Sequence, residues 1–370
     1  MSLRTRPPFR ADHVGSLLRP PALLKARKDH AQGAISADEL RRIEDEAIRA
    51  VVRRQEDIGL QAVTDGELRR NDWYMDFKYA IGGIERLNEK VKVPFRNASG
   101  AIDFEFVAYR VRERMRLDDT IFADDFAFLK QVATRAVPKL TIPSPSMMHY
   151  PAGRGVDREV YPDWELFFHD LVAIYRQEIA GLAALGCSYL QLDDTSLAFL
   201  NDPKRRAMLG DGAETQHLRY IKLFNDAVKD RPTDMAICTH SCRGNYKSGW
   251  MAEGSYDHVA EALFSELDVD GFFLEYDDER SGGFEPLRFL PKGKMVVLGL
   301  VTTKSGTLEK KDDLKRRIDQ AAKFAPLEQL CLSPQCGFAS TVEGNLLTID
   351  QQFAKLKLVA ETAREVWGTA

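Results

Sequence analysis

The residues best suited to chemistry are sulfur and nitrogen donors. The chain has five cysteines (Cys187, Cys238, Cys242, Cys331 and Cys336) and seven histidines. His240 and Cys242 lie two positions apart at the end of an apolar run, MAICTHSC. In extended chain, residues i and i+2 point to the same side. A carboxylate, Glu275, ends the next apolar run, and Cys336 follows the last one. Imidazole and thiolates together are the donors that Zn2+ prefers, and a site with one exchangeable position is catalytic rather than structural. For His240 the competing reading is a hydrogen-bonded histidine without a metal. Cys238 and Cys331 fall inside their runs and read as small apolar filling. Cys187, after a helix-ending glycine, reads the same way. His30, His149, His169, His217 and His258 have no comparable partners nearby in sequence and read as structural or surface residues.

These donors need elements to bring them together. A unit of amphipathic helix, glycine, short apolar strand and polar exit recurs along the chain. Ser36 with Glu39 has capping-box spacing, and Leu40, Ile43, Ala47, Ile48 and Val51 then share a helical face. Gly59 stops that helix, and LQAVTDGE follows as strand and exit. A second helix from Asp163 ends at Gly186, before YLQLDD. Further strands are expected in ADHVGSLL, KLTIPSPS, MAICTHSC, GFFLEYD, KMVVLGLVT and LEQLCLSPQC. Eight short apolar strands alternating with helices predict an α/β fold, a (β/α)8 TIM barrel forming one domain over 1–370. The region from about 88 to 136 breaks the pattern. Ile102, Phe104 and Phe106 alternate with Asp103 and Glu105, which predicts an inserted β-hairpin. Arg110, Arg112, Arg114 and Arg116 follow, and a solvated strand face paired to local acids is the preferred reading for them.

Active sites of such barrels sit where strands end. The polar residues there include His13, Ser16, Glu67, Asp193, Asp194, His240, Cys242, Glu275, Lys304 and Cys336. The net charge of −4 gives no reason to expect a nucleic-acid partner. No apolar run approaches the ~18 residues of a membrane helix. The N-terminal residues lack an apolar signal core, so the expected location is cytoplasmic. The odd cysteine count argues against a disulfide framework.

THSC at 239–242, FLEYD at 273–277 and SPQCG at 333–337 together resemble the catalytic half of cobalamin-independent methionine synthase. VGS at 14–16, DGELRRND at 65–72 and LQLDD at 190–194 extend the resemblance to nearly the whole chain. It implies a zinc-dependent methyltransferase acting on homocysteine. On that resemblance His240, Cys242, Glu275 and Cys336 are the zinc ligands. Val14, Gly15 and Ser16 cradle the amino acid, and Glu67 and Asp193 hold its ammonium. Paired carboxylates are suitable charge-assisted acceptors for that group; a salt bridge to Arg69 or Arg70 is the alternative.

Two positions depart from the family pattern. Phe199 replaces an acid that contacts folate, and Lys304 replaces a histidine proposed to protonate the leaving group. The methyl donor therefore stays open between methylfolate and methylcobalamin or a corrinoid protein. If a proton donor is required, the candidates are Lys304, His13 and Asp194. Alkyl transfer to another small thiol such as coenzyme M, a uroporphyrinogen-decarboxylase-like barrel enzyme, and a non-catalytic zinc or corrinoid-carrier binding protein are the rivals. An assembly of identical chains is compatible with the sequence.

Overall fold

The computed structural model describes residues 4–150, 153, 155–210 and 212–370. Its strands, in chain order, are β1 (Ala62–Val63), β2 (Gly82–Asn97), β3 (Gly100–Arg116), β4 (Val137–Pro138), β5 (Leu140–Pro143), β6 (Tyr189–Asp194), β7 (Ala236–Ser241), β8 (Gly271–Glu275), β9 (Met295–Val301) and β10 (Leu330–Pro334). Strands β5 to β10 form one parallel sheet in sequential order, and β1 pairs in parallel with β4. The ring closes through residues near Ala11. Ala11 bridges Leu332 in parallel, and on the other side Thr64 Oγ1 donates to the Gly15 carbonyl at 2.6 Å. The result is a closed barrel of eight staves, the first reduced to a single bridge.

Side-chain alternation divides this barrel into an inside and an outside. In β6, Leu190 and Leu192 join the large apolar layer between strands and helices, whereas Tyr189 joins a smaller interior cluster. Phe9, Cys238, Phe273, Val297 and Cys331 belong to the same interior cluster. Parity then carries Gln191 and Asp193 inward and Asp194 outward. Likewise it carries Cys238, His240 and Cys242 inward. The parallel register places Asp193 beside His240, and His240 beside Phe273.

The helices follow from local signals. Ser36 accepts the Glu39 N–H at the start of Ala37–Ile58, and Gly59 ends it at φ +87°. Thr348 and Gln351 close a reciprocal capping box on Ile349–Trp367. Among the described residues no helix is long and apolar enough to cross a membrane.

The inserted hairpin is longer at its start than expected, running from Gly82 to Arg116 as β2 and β3. The tail of the expected insertion is different again: Ala123–Val132 is a helix, packed on the barrel through Phe126 and Leu129. Alternation alone could not show where the hairpin yields to a barrel helix. Three of the four arginines on this face, Arg112, Arg114 and Arg116, are paired to acids. Arg112 meets Glu85 at 2.7 Å, Arg114 meets Asp170 at 2.5 Å, and Arg116 meets Asp118 at 2.9 Å. The hairpin tip leans over the loop that follows Cys242: Arg96 and Trp250 exchange backbone hydrogen bonds of 2.9 and 2.8 Å.

Candidate metal centre and substrate pocket

The exits of β7, β8 and β10 converge on one point. His240 and Glu275 are inward residues at the ends of β7 and β8, Cys242 follows β7, and Cys336 follows β10. One donor atom from each of the four lies within 4.8 Å of every other, and all four residues are buried. The two sulfurs are 3.4 Å apart. His240 Nδ1 lies 3.2 Å from the Phe273 carbonyl, so that nitrogen carries the proton. Nε2 is buried and without a hydrogen-bond partner, and when unprotonated it offers a lone pair to a metal. A buried orphan acceptor is costly unless something fills its position. Donor type, spacing and orphaned nitrogen together fit Zn2+.

Backbone donors fix the ligands. Arg243 N–H donates to Glu275 Oε1 at 3.1 Å, and Gly244 N–H to Cys242 Sγ at 3.3 Å. The Arg243 side chain is itself buried, donating to the Tyr256 hydroxyl at 2.8 Å and the Glu275 carbonyl at 3.1 Å.

Burial opposes ionisation of Cys336, but the hydrogen bond from Cys242 and the His240 charge outweigh it and lower its pKa. Cys242 moves the opposite way, raised by that same hydrogen bond and by burial. Burial also disfavours the charged form of His240, yet the neighbouring Cys336 thiolate raises it overall. Two thiols this close cannot both ionise without a nearby cation, so one takes the charge and the other keeps the proton. The three remaining cysteines are pushed up chiefly by burial, Cys187 and Cys331 to about 12 and Cys238 further.

Beside Cys336 lies a cluster of buried polar residues. Ser16 packs on Gly337, where any side chain would collide with the Ser16 hydroxyl. At Gly15, with φ +146°, an added Cβ would sit 2.7 Å from Thr141 Cγ2. The Val14 carbonyl accepts from Gln191 Nε2 at 2.7 Å. Glu67 adopts φ +56°, a left-handed conformation rare outside glycine. Asp65 accepts its N–H at 2.8 Å, and Arg19 donates to its carbonyl at 2.9 Å. Thr141 Oγ1 donates to Glu67 Oε1 at 2.9 Å, while Oε2 is buried without a hydrogen-bond partner. Asp193 accepts from Gln191 Nε2 at 2.6 Å. Burial pushes its pKa up to about 7, with His240 opposing and Glu67 adding to the rise.

The salt-bridge alternative for Glu67 finds one buried partner, Arg70, and not Arg69. Arg70 Nη1 stands 3.9 Å from it, and Arg69 turns instead to Asp45 and Asp125. Thr141, Gln191 and Arg19, which support this cluster, escaped the sequence reading. For Thr141 and Gln191 the available signal was a polar residue at an inward position of an otherwise apolar strand.

The three candidate proton donors separate by parity. Lys304 reaches the mouth, donating to the Gly249 carbonyl at 3.0 Å and to Asn245 Oδ1 at 3.3 Å. His13 does not reach it. Asp12 takes the inward position, and His13 turns outward toward Gln55, where burial and then Lys139 lower its pKa to about 4. Asp194 is also outward. Its carboxylate is filled by the hydroxyls of Ser144, Ser146 and Ser196 and by the Leu197 N–H. Phe199 is buried, with its ring centroid 5.7 Å from that of Tyr150.

Residues 9–96 and 157–364 match the family described as cobalamin-independent synthase, catalytic domain. A Bacillus subtilis protein, YxjH, is 47% identical over 366 residues, covering 97% of this chain and 95% of its own; its function is uncharacterised. The Pyrococcus abyssi methionine synthase is 26% identical over 351 residues, 94% of this chain and 88% of its own. Among solved structures, a Listeria monocytogenes protein assigned provisionally as a vitamin-B12-independent methionine synthase superposes with TM-score 0.79 at 36% identity. That match covers 99% of this chain and 100% of the other.

Proposed function

The chain belongs to the catalytic-domain family of cobalamin-independent synthases, and from that premise we propose that it is a zinc-dependent S-methyltransferase whose acceptor is homocysteine. The observation that carries this reading is the buried His240–Cys242–Glu275–Cys336 cluster with its unpartnered Nε2. Zinc held there would supply the positive charge that lets an acceptor thiol exist as thiolate at neutral pH.

The chain's own residues do the rest. Glu67 and Asp193 offer carboxylate oxygens to an ammonium group beside the sulfurs. Ser16 and the close backbone at Gly15 and Val14 fix the rest of the amino acid. The same carboxylates disfavour coenzyme M, whose sulfonate would face like charge. Cys242, Cys336 and Glu275 would hold the ion with enough negative charge to leave an acceptor sulfur nucleophilic.

Lys304 is the side chain placed to protonate a departing amine nitrogen. Methylfolate needs that proton and methylcobalamin does not. Turnover of Lys304→Met with each donor therefore identifies the donor: a loss confined to methylfolate assigns it, and equal turnover with both removes Lys304 from the chemistry. The acceptor is tested by thermal stabilisation of the zinc-loaded protein. Homocysteine is expected to stabilise wild type and not Asp193→Asn. Stabilisation by a thiol lacking an amino group, with none by homocysteine, overturns the assignment.

A further inference from the structure

The four donors come from three strand exits, and a barrel does not by itself hold such exits in register. One buried polar network does so here. Asn345 Nδ2 donates to Asn245 Oδ1 at 2.9 Å and to the Thr303 carbonyl at 3.0 Å. Asn345 Oδ1 accepts the Ser248 N–H at 2.9 Å. Asn245, three residues after Cys242, donates to the Gly337 carbonyl at 2.8 Å and Ser340 Oγ at 3.1 Å. Thr303 gives both its N–H and its hydroxyl to Gln335 Oε1, each at 2.7 Å. Gln335 and Gly337 flank Cys336, and Lys304 follows Thr303 and contacts Asn245. The network therefore joins the loops bearing Cys242, Lys304 and Cys336. Asn245, Thr303, Gln335 and Asn345 are all buried.

The loop it holds is strained. Lys247 and Ser248 sit at φ +46° and +61° in the turn between Tyr246 and Gly249, without the glycine or asparagine such a turn favours. Strained backbone persists only where its surroundings over-determine it. The Asn345 contact to Ser248 N–H, the Leu346 N–H bond to Ser248 Oγ at 2.9 Å and the Lys304 contact to Gly249 supply that constraint.

We propose that Asn345, with Asn245 and Thr303, is a positioning residue that sets the separation of Cys242 from Cys336 and the placement of Lys304 between them. This rests on the metal assignment above. None of the three touches the metal donors directly; they act through Cys242, Lys304 and Cys336. Removing the Asn345 amide leaves the Cys242 and Lys304 loops joined only by the Lys304 ammonium contacts to Asn245 and Gly249, while the Cys336 loop stays joined to each of them.

The test is metal affinity and the cobalt(II) absorption spectrum of the full-length protein, measured without any turnover. Residues that orient metal ligands typically change affinity about 10–100-fold when removed. Asn345→Leu is expected to weaken Zn2+ binding within that range and to shift the cobalt d–d bands. Thr303→Val, which keeps volume and removes the hydroxyl that donates to Gln335 and accepts from Asn345, is expected to shift them less and in the same direction. Asn201 is the control, an equally buried asparagine bonded to Leu197 and Val259 in the outer layer. Asn201→Leu should lower thermal stability and leave affinity and spectrum unchanged. If Asn345→Leu does not fold, Thr303→Val decides alone. A Thr303→Val protein with wild-type affinity and spectrum overturns the proposal, as does an Asn201→Leu protein that loses affinity equally. Failure of wild type to bind either metal would instead overturn the metal assignment beneath it.

Discussion

The barrel interior holds two ionisable storeys on the same strands. In the lower one Asp12 and Lys139 pair at 3.1 Å with neither side chain exposed. Lys139 also donates to the His13 carbonyl at 2.6 Å, and the Tyr189 hydroxyl donates to Asp12 at 2.8 Å. Cys238 and Cys331 fill space around them. In the upper storey the partners run out: His240 Nε2 and Glu67 Oε2 are buried with no hydrogen bond. Cys238 and His240 are two residues apart on one strand and face the same way. Burial therefore does not separate a structural storey from a functional one. What separates them is whether the buried charges are satisfied from within.

The comparison breaks most visibly at the cysteines. Cys242→Ser or Cys336→Ser should abolish both zinc retention and thiol methylation in a protein that stays folded by circular dichroism. Cys238→Ser and Cys331→Ser should retain zinc and lose about 1–3 kcal/mol of stability, the cost of burying an unpartnered hydroxyl. Equal zinc loss at all four positions would erase the distinction between storeys.

The next largest effect belongs to the lower pair. Lys139→Met strands a buried Asp12 and is expected to cost about 3–5 kcal/mol in denaturant unfolding. Adding Asp12→Asn should recover part of that, and zinc content should stay near one per chain throughout. Loss of zinc would show that the lower storey also builds the site.

Much of this arrangement was legible in the sequence. Repeated helix–glycine–strand units predicted the barrel, and donor types at strand exits, with the family resemblance, named the four residues that the fold brings within 4.8 Å of one another. His13 and Asp194 were misread for one reason: each is adjacent to the inward residue, and in extended chain a shift of one position reverses the side. A strand exit names several polar residues but not which one faces in until register is known. The hairpin's extent was hidden because the 123–132 helix follows it without glycine or proline punctuation at its start. The Asn345 network was invisible because its members lie up to 100 positions apart.

His13 sharpens the point about parity. Its folded pKa, lowered to about 4, lies below the ordinary 6.5. The unfolded chain therefore takes the proton first, and the stability present above pH 6.5 is lost as pH falls toward 4. The contribution is up to about 3 kcal/mol. Unfolding of metal-free protein across this range should show a shallower acid limb in His13→Gln than in wild type; identical limbs would place the imidazole in a solvated setting. The smallest effect is expected outside the barrel. Arg114→Ala removes a half-exposed ion pair with Asp170 and should change stability by under ~1 kcal/mol without altering homocysteine affinity. A marked loss of affinity would return the arginine face to the substrate site.

The most direct test of the central claim is zinc X-ray absorption of the purified protein with and without homocysteine. Two sulfur scatterers from Cys242 and Cys336 are expected in its absence, beside nitrogen and oxygen from His240 and Glu275. A third sulfur should enter when homocysteine is added. A sulfur count unchanged by homocysteine, or no bound zinc at all, would contradict a thiol-activating centre at this position.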